Sequence, residues 1–389
     1  MIWKERFTNL STKMTLTLSI GSLLVATFSI YMVVKGARIS NIYDHQSSSC
    51  QFPAIYNFGD SNSDTGAVSA AFGPLVAPHG MTYFHKPSGR YSDGRLIIDF
   101  FAEKLGFPYL SAYLDSIGTN FRHGANFAAS GCTIQPADAL TLNNTFDPLT
   151  LDVQLSQFEQ FKQRSLDVYN EVTSSEIKDR LPRYEDYSRA LYTFDIGQND
   201  LHAGIIYMKE DQAKTYIPTM ISEFASVVEK LYQGGARTFW IHNTGPIGCI
   251  PFFVKNYPPS PDNKDQIGCV KSYNGLAQEF NKQLKDKVSQ LGTQLQEASF
   301  VYVDIYSVKY SLISEANKHG FTDPLGQCLG QDGDDNKPCA NPSEYISWDG
   351  IHYTEAANKW IANNLQNGYA SSPKVPLTEA CQATSSSLQ

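Results

Sequence analysis

Short apolar runs alternate with helical stripes along most of this chain. Ala54–Phe58, Ala190–Ile196, Thr238–His242 and Phe300–Ile305 are rich in aromatic and β-branched residues and bounded by turn formers. Each reads as a buried strand, and a shorter one covers Gly124–Ala128. Between them Leu96, Ile97, Phe100, Phe101 and Leu105 form a helical stripe, with Asp93 placed to cap its start. Helical patterns also fill residues 211–233, 273–292 and 354–366. Strands alternating with helices imply an α/β fold whose parallel sheet is covered on both faces. Ligands of such sheets bind outside the carboxyl ends of the strands, so the residues just after each run are the first place to look for chemistry.

With 389 residues, 42% hydrophobic and 18% charged, the chain can bury a large core in one domain. Its formal net charge of −8 argues against nucleic acid or an anionic membrane surface as the main partner. The N-terminus is a different kind of segment. Lys4, Arg6 and Lys13 precede an uncharged run from Met14 to Val34, followed by Lys35 and Arg38. A positive flank before an apolar stretch reads as a signal peptide or a signal anchor over residues 1–38. The run is 21 residues long, enough to span a bilayer, yet Thr and Ser dilute it and Ala37 offers a small residue for cleavage. The expected organisation continues with a linker over 39–51, one main domain over 52–382 and a frayed tail over 383–389. A retained anchor would be the one contact with a membrane.

Cysteine usage fits export. The seven cysteines form no CxxC pair and no Cys/His cluster with zinc spacing, so disulfides are the natural assignment. Sequence proximity pairs Cys249 with Cys269 and Cys328 with Cys339. Cys50 and Cys381 bracket the domain, and chain termini often lie close together. Cys132 is then left over. Asn143-Asn-Thr is the one glycosylation candidate on an exported body, since Asn341 is followed by proline.

Two segments combine residues suited to acyl transfer. The first is Phe58-Gly59-Asp60-Ser61-Asn62-Ser63-Asp64-Thr65-Gly66 and the second Trp348-Asp349-Gly350-Ile351-His352. A serine hydroxyl needs a base to take its proton, and an imidazole needs an acceptor to fix its tautomer. Asp349 and His352 can present both side chains to one spot if the loop turns helically between them. The tight G-x-S-x-G elbow of α/β-hydrolases is absent, because position 63 is Ser. A calcium loop competes for Asp60-x-Asn62-x-Asp64, but Thr65 stands where glycine is needed and Ala71 where a bidentate glutamate is needed. Asp332, Asp334 and Asn336 fail similarly, with Lys337 and Ser343 at those places. These carboxylates are better suited to holding loop backbone.

Between the two segments stand Gly-Ala-Asn-Phe-Ala-Ala-Ser-Gly (124–131) and Gly-Gln-Asn-Asp (197–200). The four blocks, in this order, resemble the GDSL (SGNH) hydrolase superfamily, and specifically the plant GDSL esterase/lipase family, over residues 52–382. The resemblance implies a three-layer α/β/α, flavodoxin-like fold around a parallel sheet of about five strands. It makes Ser61 the nucleophile, His352 the base and Asp349 its orienting acid. Gly131, through its backbone N–H, and Asn199, through its side chain, become the oxyanion donors, to which Ser61 can add its own N–H. Asn126 then ties a strand end, and Asp200 either caps a helix or supports Asn199. His242, in the block His242–Cys249, reads as a core histidine within loop architecture.

The phrasing around Gln51–Gly66 is similar to an extracellular branch with nodulin-like esterases, acetylesterases and proteins described as fucosidases. A glycosidase wants two carboxylates flanking a sugar, whereas these blocks serve acyl transfer. The resemblance implies a secreted serine carboxylester hydrolase, in the apoplast or another endomembrane lumen such as the vacuole. Its partner would be a small-molecule ester and it would need no cofactor. Acyl transfer to an alcohol, as some plant family members perform on specialised metabolites, uses the same residues, and a non-catalytic apoplastic binding protein is the third reading.

Overall fold

The computed structural model describes residues 50–115, 117–135, 148–330 and 337–383. The N-terminal apolar run, Asn143 and the run Asp332–Asn336 lie outside them. No helix among the described residues is long and apolar enough to cross a membrane.

Five strands are parallel: β1 (Ile55–Gly59), β2 (Gly124–Asn126), β3 (Leu191–Asp195), β4 (Thr238–His242) and β5 (Ser299–Val303). They lie in the spatial order 2-1-3-4-5. A separate two-stranded parallel sheet joins β6 (Asp323–Gln327) to β7 (Tyr345–Ser347). A short antiparallel strand absent from the sequence expectation, β8 (Ser371–Ser372), extends the main sheet beyond β5. It is two residues long, too short for any periodicity to announce it.

All the long parallel strands are buried along their length, which is why they read as continuous apolar runs. Alternate residues serve opposite faces. On one face Tyr56, Phe58, Tyr192, Phe194, Phe239 and Phe300 pack against α2 (Leu151–Glu171), α4 (Glu210–Gln233) and α5 (Lys271–Gln294). On the other, Ile55, Leu191, Trp240 and Val301 meet α1 (Ile97–Lys104), α6 (Ile305–Ser314) and α7 (Glu355–Gln366). The remaining long helix, α3 (Gln198–Tyr207), follows β3 directly. The result is the three-layer α/β/α fold. The strand order reverses direction at β1 and β3, the switch point where sheets of this order bind ligands.

Asp93 does not cap α1, contrary to the sequence expectation. Its Oδ1 accepts the Glu355 N–H at 2.7 Å, tying the start of α7 to the segment before α1. Asp99 fills the capping role from inside the helix, accepting the Leu96 N–H at 2.8 Å. The same carboxylate receives Arg90 through Nε at 2.8 Å and through its terminal nitrogen at 2.7 Å. The pair is almost completely buried. Asp99→Ala should strand the Arg90 charge and destabilise the fold by about 3–5 kcal/mol, read from urea midpoints at constant m.

Candidate active site

Three strands of the sheet carry an in-register row of buried polar side chains. Asn57 on β1 faces Asn126 on β2 and Thr193 on β3. Its Nδ2 donates to Asn126 Oδ1 at 2.7 Å, and its Oδ1 accepts from Thr193 Oγ1 at 2.7 Å. Asn126 Nδ2 donates onward to the Ser63 carbonyl at 2.6 Å and to Thr65 Oγ1 at 2.9 Å. Asn126 therefore does tie the strand end, and what it ties is the loop containing Ser61.

That loop leaves β1 as a turn. Asp60 N–H donates to the Asp195 carbonyl at 3.1 Å, and the Asp60 carbonyl accepts the amides of Ser63 and Asp64 at 3.0 Å each. Asp60 Oδ1 takes both N–H groups of Asn62, backbone and side chain, at 2.9 Å. Asp64 accepts from Gly66 and Ala67 through Oδ1 at 2.7 and 2.6 Å, and from Ser130 through Oδ2 at 2.9 Å. These N–H donors present the wrong polarity for a cation at Asp60 Oδ1 and at both oxygens of Asp64, in keeping with the loop-holding role expected of these residues. Ser61 sits between them, 6% exposed.

Asp64 brings the second loop alongside the first. Ala129 N–H donates to the Gly59 carbonyl at 3.1 Å, and Gln154 on α2 brackets Gly59 with Oε1 on its N–H and Nε2 on its carbonyl. Gly131 follows with φ at +80°, which only glycine adopts freely. The amides of Ser61 and Gly131 donate no hydrogen bond to any described residue. Asn199, in the first turn of α3, donates through Nδ2 to the Cys132 carbonyl at 2.9 Å, which fixes its amide beside Gly131 and leaves its second N–H for another acceptor.

Asp200, in the first turn of α3, accepts the amides of Ile134 and Gln135 at 2.9 and 3.1 Å and its own backbone amide as well. Cys132 stands outside the three disulfides, which join Cys50–Cys381, Cys249–Cys269 and Cys328–Cys339. It is fully buried, with Sγ 2.7 Å from the Gly59 carbonyl and 2.9 Å from Gln154 Nε2. A bulky thiol reagent has no route to it in the folded protein.

The Asp-His segment is an Asx turn rather than a helical one. It is closed by Asp349 Oδ1, which accepts the amides of Ile351 and His352 at 2.9 and 2.8 Å. Gly350 has φ at +95°, and a Cβ there would come within 2.6 Å of Gln327 Oε1. Across this turn Asp349 Oδ2 meets His352 Nδ1 at 2.6 Å. Burial pushes the Asp349 carboxyl up, but the His352 charge and hydrogen bonds outweigh it and hold the group at about 2. The carboxylate is ionised at any ordinary pH and fixes the proton of neutral His352 on Nδ1, leaving Nε2 as the acceptor.

The profile of the GDSL-like lipase/acylhydrolase family matches residues 55–365 of this chain. A GDSL esterase/lipase of Arabidopsis thaliana is 49% identical, across 85% of this chain and 90% of that protein. An esterase of Hevea brasiliensis is 48% identical, across 88% and 92%. The chain belongs to the GDSL-like lipase/acylhydrolase family. It is a carboxylic ester hydrolase of the GDSL esterase/lipase kind. An Arabidopsis protein named alpha-L-fucosidase 3 is 46% identical, across 86% and 93%.

Around this GDSL site the walls are aromatic. The Tyr91 ring lies 5.1 Å from that of His352, and His79 packs edge-on to Trp348 at 5.9 Å. His202, one turn beyond Asn199 on α3, packs against Phe252 and Phe253. Burial, then the charge of His352, pull the His202 imidazole down to about 4, so it lines the site as a neutral group. Sequence reasoning missed Gln154, His202 and the buried Lys309. Gln154 falls on the stripe Leu151, Leu155, Phe158 of α2, and Lys309 on the stripe Ile305, Val308, Leu312 of α6. A polar residue on an apolar stripe was the available signal.

Burial pushes the Asp200 carboxyl up to about 6, against the pull of its three amide donors, Ile134, Gln135 and its own N–H. A carboxyl in the unfolded chain titrates at about 4, so the folded state holds this proton more tightly. The stabilisation from Asp200 is complete below that range and lost as pH rises through about 6. Asp200→Asn removes the titration. The wild-type urea midpoint should therefore decline relative to that of the variant across this window, and parallel midpoints would contradict the assignment.

Proposed function

We propose that this protein is a secreted serine carboxylester hydrolase acting on small-molecule esters, with Ser61 as nucleophile, His352 as base and Asp349 as the group that orients His352. The observation that carries the reading is the 2.6 Å contact of Asp349 with His352 Nδ1, in a site whose Ser61 and Gly131 amides are unengaged by described residues. Ser61 Oγ attacks the ester carbonyl as its proton passes to His352 Nε2. The oxyanion is met by the amides of Ser61 and Gly131 and by the side chain of Asn199. The departing alcohol takes the proton from His352, and a water molecule repeats the sequence on the acyl-Ser61 ester. Three disulfides support passage through an oxidising compartment, and secretion to the apoplast is the destination we favour.

The chemistry disfavours glycosidase action of the kind named for the Arabidopsis relative. Two carboxylates must flank the sugar in that reaction. Here Asp349 is occupied by His352 and two amides, and Asp60 is buried at 1% exposure.

Ser61→Ala should fold normally and lose nearly all ester turnover, and a fluorophosphonate should label Ser61 alone. Turnover retained in that variant would refute the mechanism. Asn199→Ala should lower kcat by about 10²–10³ with little change in KM, the effect of losing one preorganised donor. A raised KM at unchanged kcat would instead make Asn199 a ground-state contact.

Activity should rise with pH as His352 loses its proton, because only the neutral imidazole can accept that of Ser61. Asp349 stays charged throughout, so its own titration does not shape the acid limb. Asp349→Asn should cost about 10⁴ in kcat through the wrong tautomer. A wild-type profile flat through the acid range would count against a histidine base.

A further inference from the structure

α2 packs on the sheet through Leu151, Leu155, Phe158 and Phe161, and one residue within that stripe is an amide, Gln154. It is completely buried. A buried side-chain amide costs stability unless its groups are paired, so an apolar residue would serve packing alone better. What Gln154 is paired with decides its role.

Its Oε1 accepts the Gly59 N–H at 3.0 Å, and its Nε2 donates to the Gly59 carbonyl at 2.9 Å. The side chain thus grips both backbone polar groups of one residue, as a neighbouring strand would. Nε2 also lies 3.0 Å from the Leu149 carbonyl and 2.9 Å from Cys132 Sγ. The Gly59 carbonyl receives Ala129 N–H at 3.1 Å and Cys132 Sγ at 2.7 Å as well, so strand β1 and the segment after β2 meet at this one oxygen. Gly59 has no slack: a Cβ there would collide with the Asp195 carbonyl oxygen and come within 2.8 Å of Ser63 Oγ.

The two sides joined here are the two sides of the catalytic constellation. Gly59 stands two residues before Ser61. Cys132 directly follows Gly131, and its carbonyl holds Asn199 Nδ2 at 2.9 Å. The helix that carries Gln154 also starts from this second side, since Leu151 N–H donates to the Thr133 carbonyl at 3.0 Å.

We propose that Gln154 is a positioning residue of the oxyanion hole: its amide sets the spacing between the Ser61 turn and the donors Gly131 and Asn199. The proposal rests on Ser61 being the nucleophile and on those donors meeting the oxyanion. Without the amide, Ala129 still reaches the Gly59 carbonyl, but no side chain spans Gly59 N–H, Leu149 and Cys132. A displacement of about 1 Å in such a site costs about 10²-fold in rate.

Gln154→Leu keeps the bulk of the side chain and none of its hydrogen bonds. On a short-chain p-nitrophenyl ester it should lose about 10² in kcat at nearly constant KM, and fluorophosphonate labelling of Ser61 should slow with it. Combined with Asn199→Ala it should lose less than the product of the two single losses, because both changes act on one set of donors. Gln154→Glu is the conservative variant. Its neutral carboxyl can accept from Gly59 N–H and donate to the Gly59 carbonyl, whereas the ionised form can only accept. The ratio of its kcat to that of wild type should therefore be highest at acid pH and fall as pH rises.

A lowered urea midpoint with wild-type kcat per labelled site in Gln154→Leu makes the residue merely structural and overturns the proposal. A double variant whose loss equals the product, or a Gln154→Glu ratio flat with pH, overturns it too. If Gln154→Leu fails to fold, Gln154→Glu carries the test at acid pH, and its failure to fold or turn over ester there counts equally against us. Peptide mapping of the adducts separates the two readings. Labelling away from Ser61 removes the nucleophile assignment, whereas labelling at Ser61 at the wild-type rate in Gln154→Leu removes only the role of Gln154.

Discussion

The row Thr193–Asn57–Asn126 is the interaction on which the rest of this site depends. Side-chain amides in the middle of a buried sheet are tolerable only when their groups are paired, since an orphaned one costs about 1–3 kcal/mol. Here the pairing works only in the observed register, with Asn57 opposite both Asn126 and Thr193. A slip of one residue would turn these side chains to the opposite face of the sheet. The row thus fixes strand alignment and, through Asn126 and the Ser63 carbonyl, delivers that alignment to the Ser61 turn.

Acidic residues do most of the remaining shaping. Asp60, Asp64, Asp200 and Asp349 each accept backbone amides within the loops that follow strands or lead into helices. A carboxylate can serve several N–H donors at once, which suits loops where no neighbouring strand supplies carbonyls. The consequence is an active end rich in acid groups yet poor in exposed negative charge. Only one of the four, Asp349, also meets an imidazole, that of His352.

Much of this was legible in the residues. Continuous apolar runs marked β1, β3, β4 and β5 to within about two residues, the usual uncertainty of such boundaries. The pairing of six of the seven cysteines into three bridges followed from spacing and from the bracketing of the domain by Cys50 and Cys381. What escaped were features set by tertiary contact. Asp93 sits at the right distance to cap α1, but α7 arrives from far along the chain and claims it through Glu355. The turn between Asp349 and His352 closes through Gly350 at a positive φ instead of helically, since the aspartate itself caps the amides.

The bridge between Cys50 and Cys381 has a topological meaning. It spans 331 residues and is reinforced where Cys50 N–H donates to the Thr378 carbonyl at 2.7 Å. Ser299 Oγ, at the start of β5, donates to the Cys381 carbonyl at 2.8 Å and anchors the junction to the sheet. The folded body is in effect a closed ring, with both ends meeting beside β5. Cutting the ring once at an exposed loop would leave a single covalent object with all its parts connected. Proteolytic nicking would then not by itself release either half, and the sheet order could outlast a broken backbone.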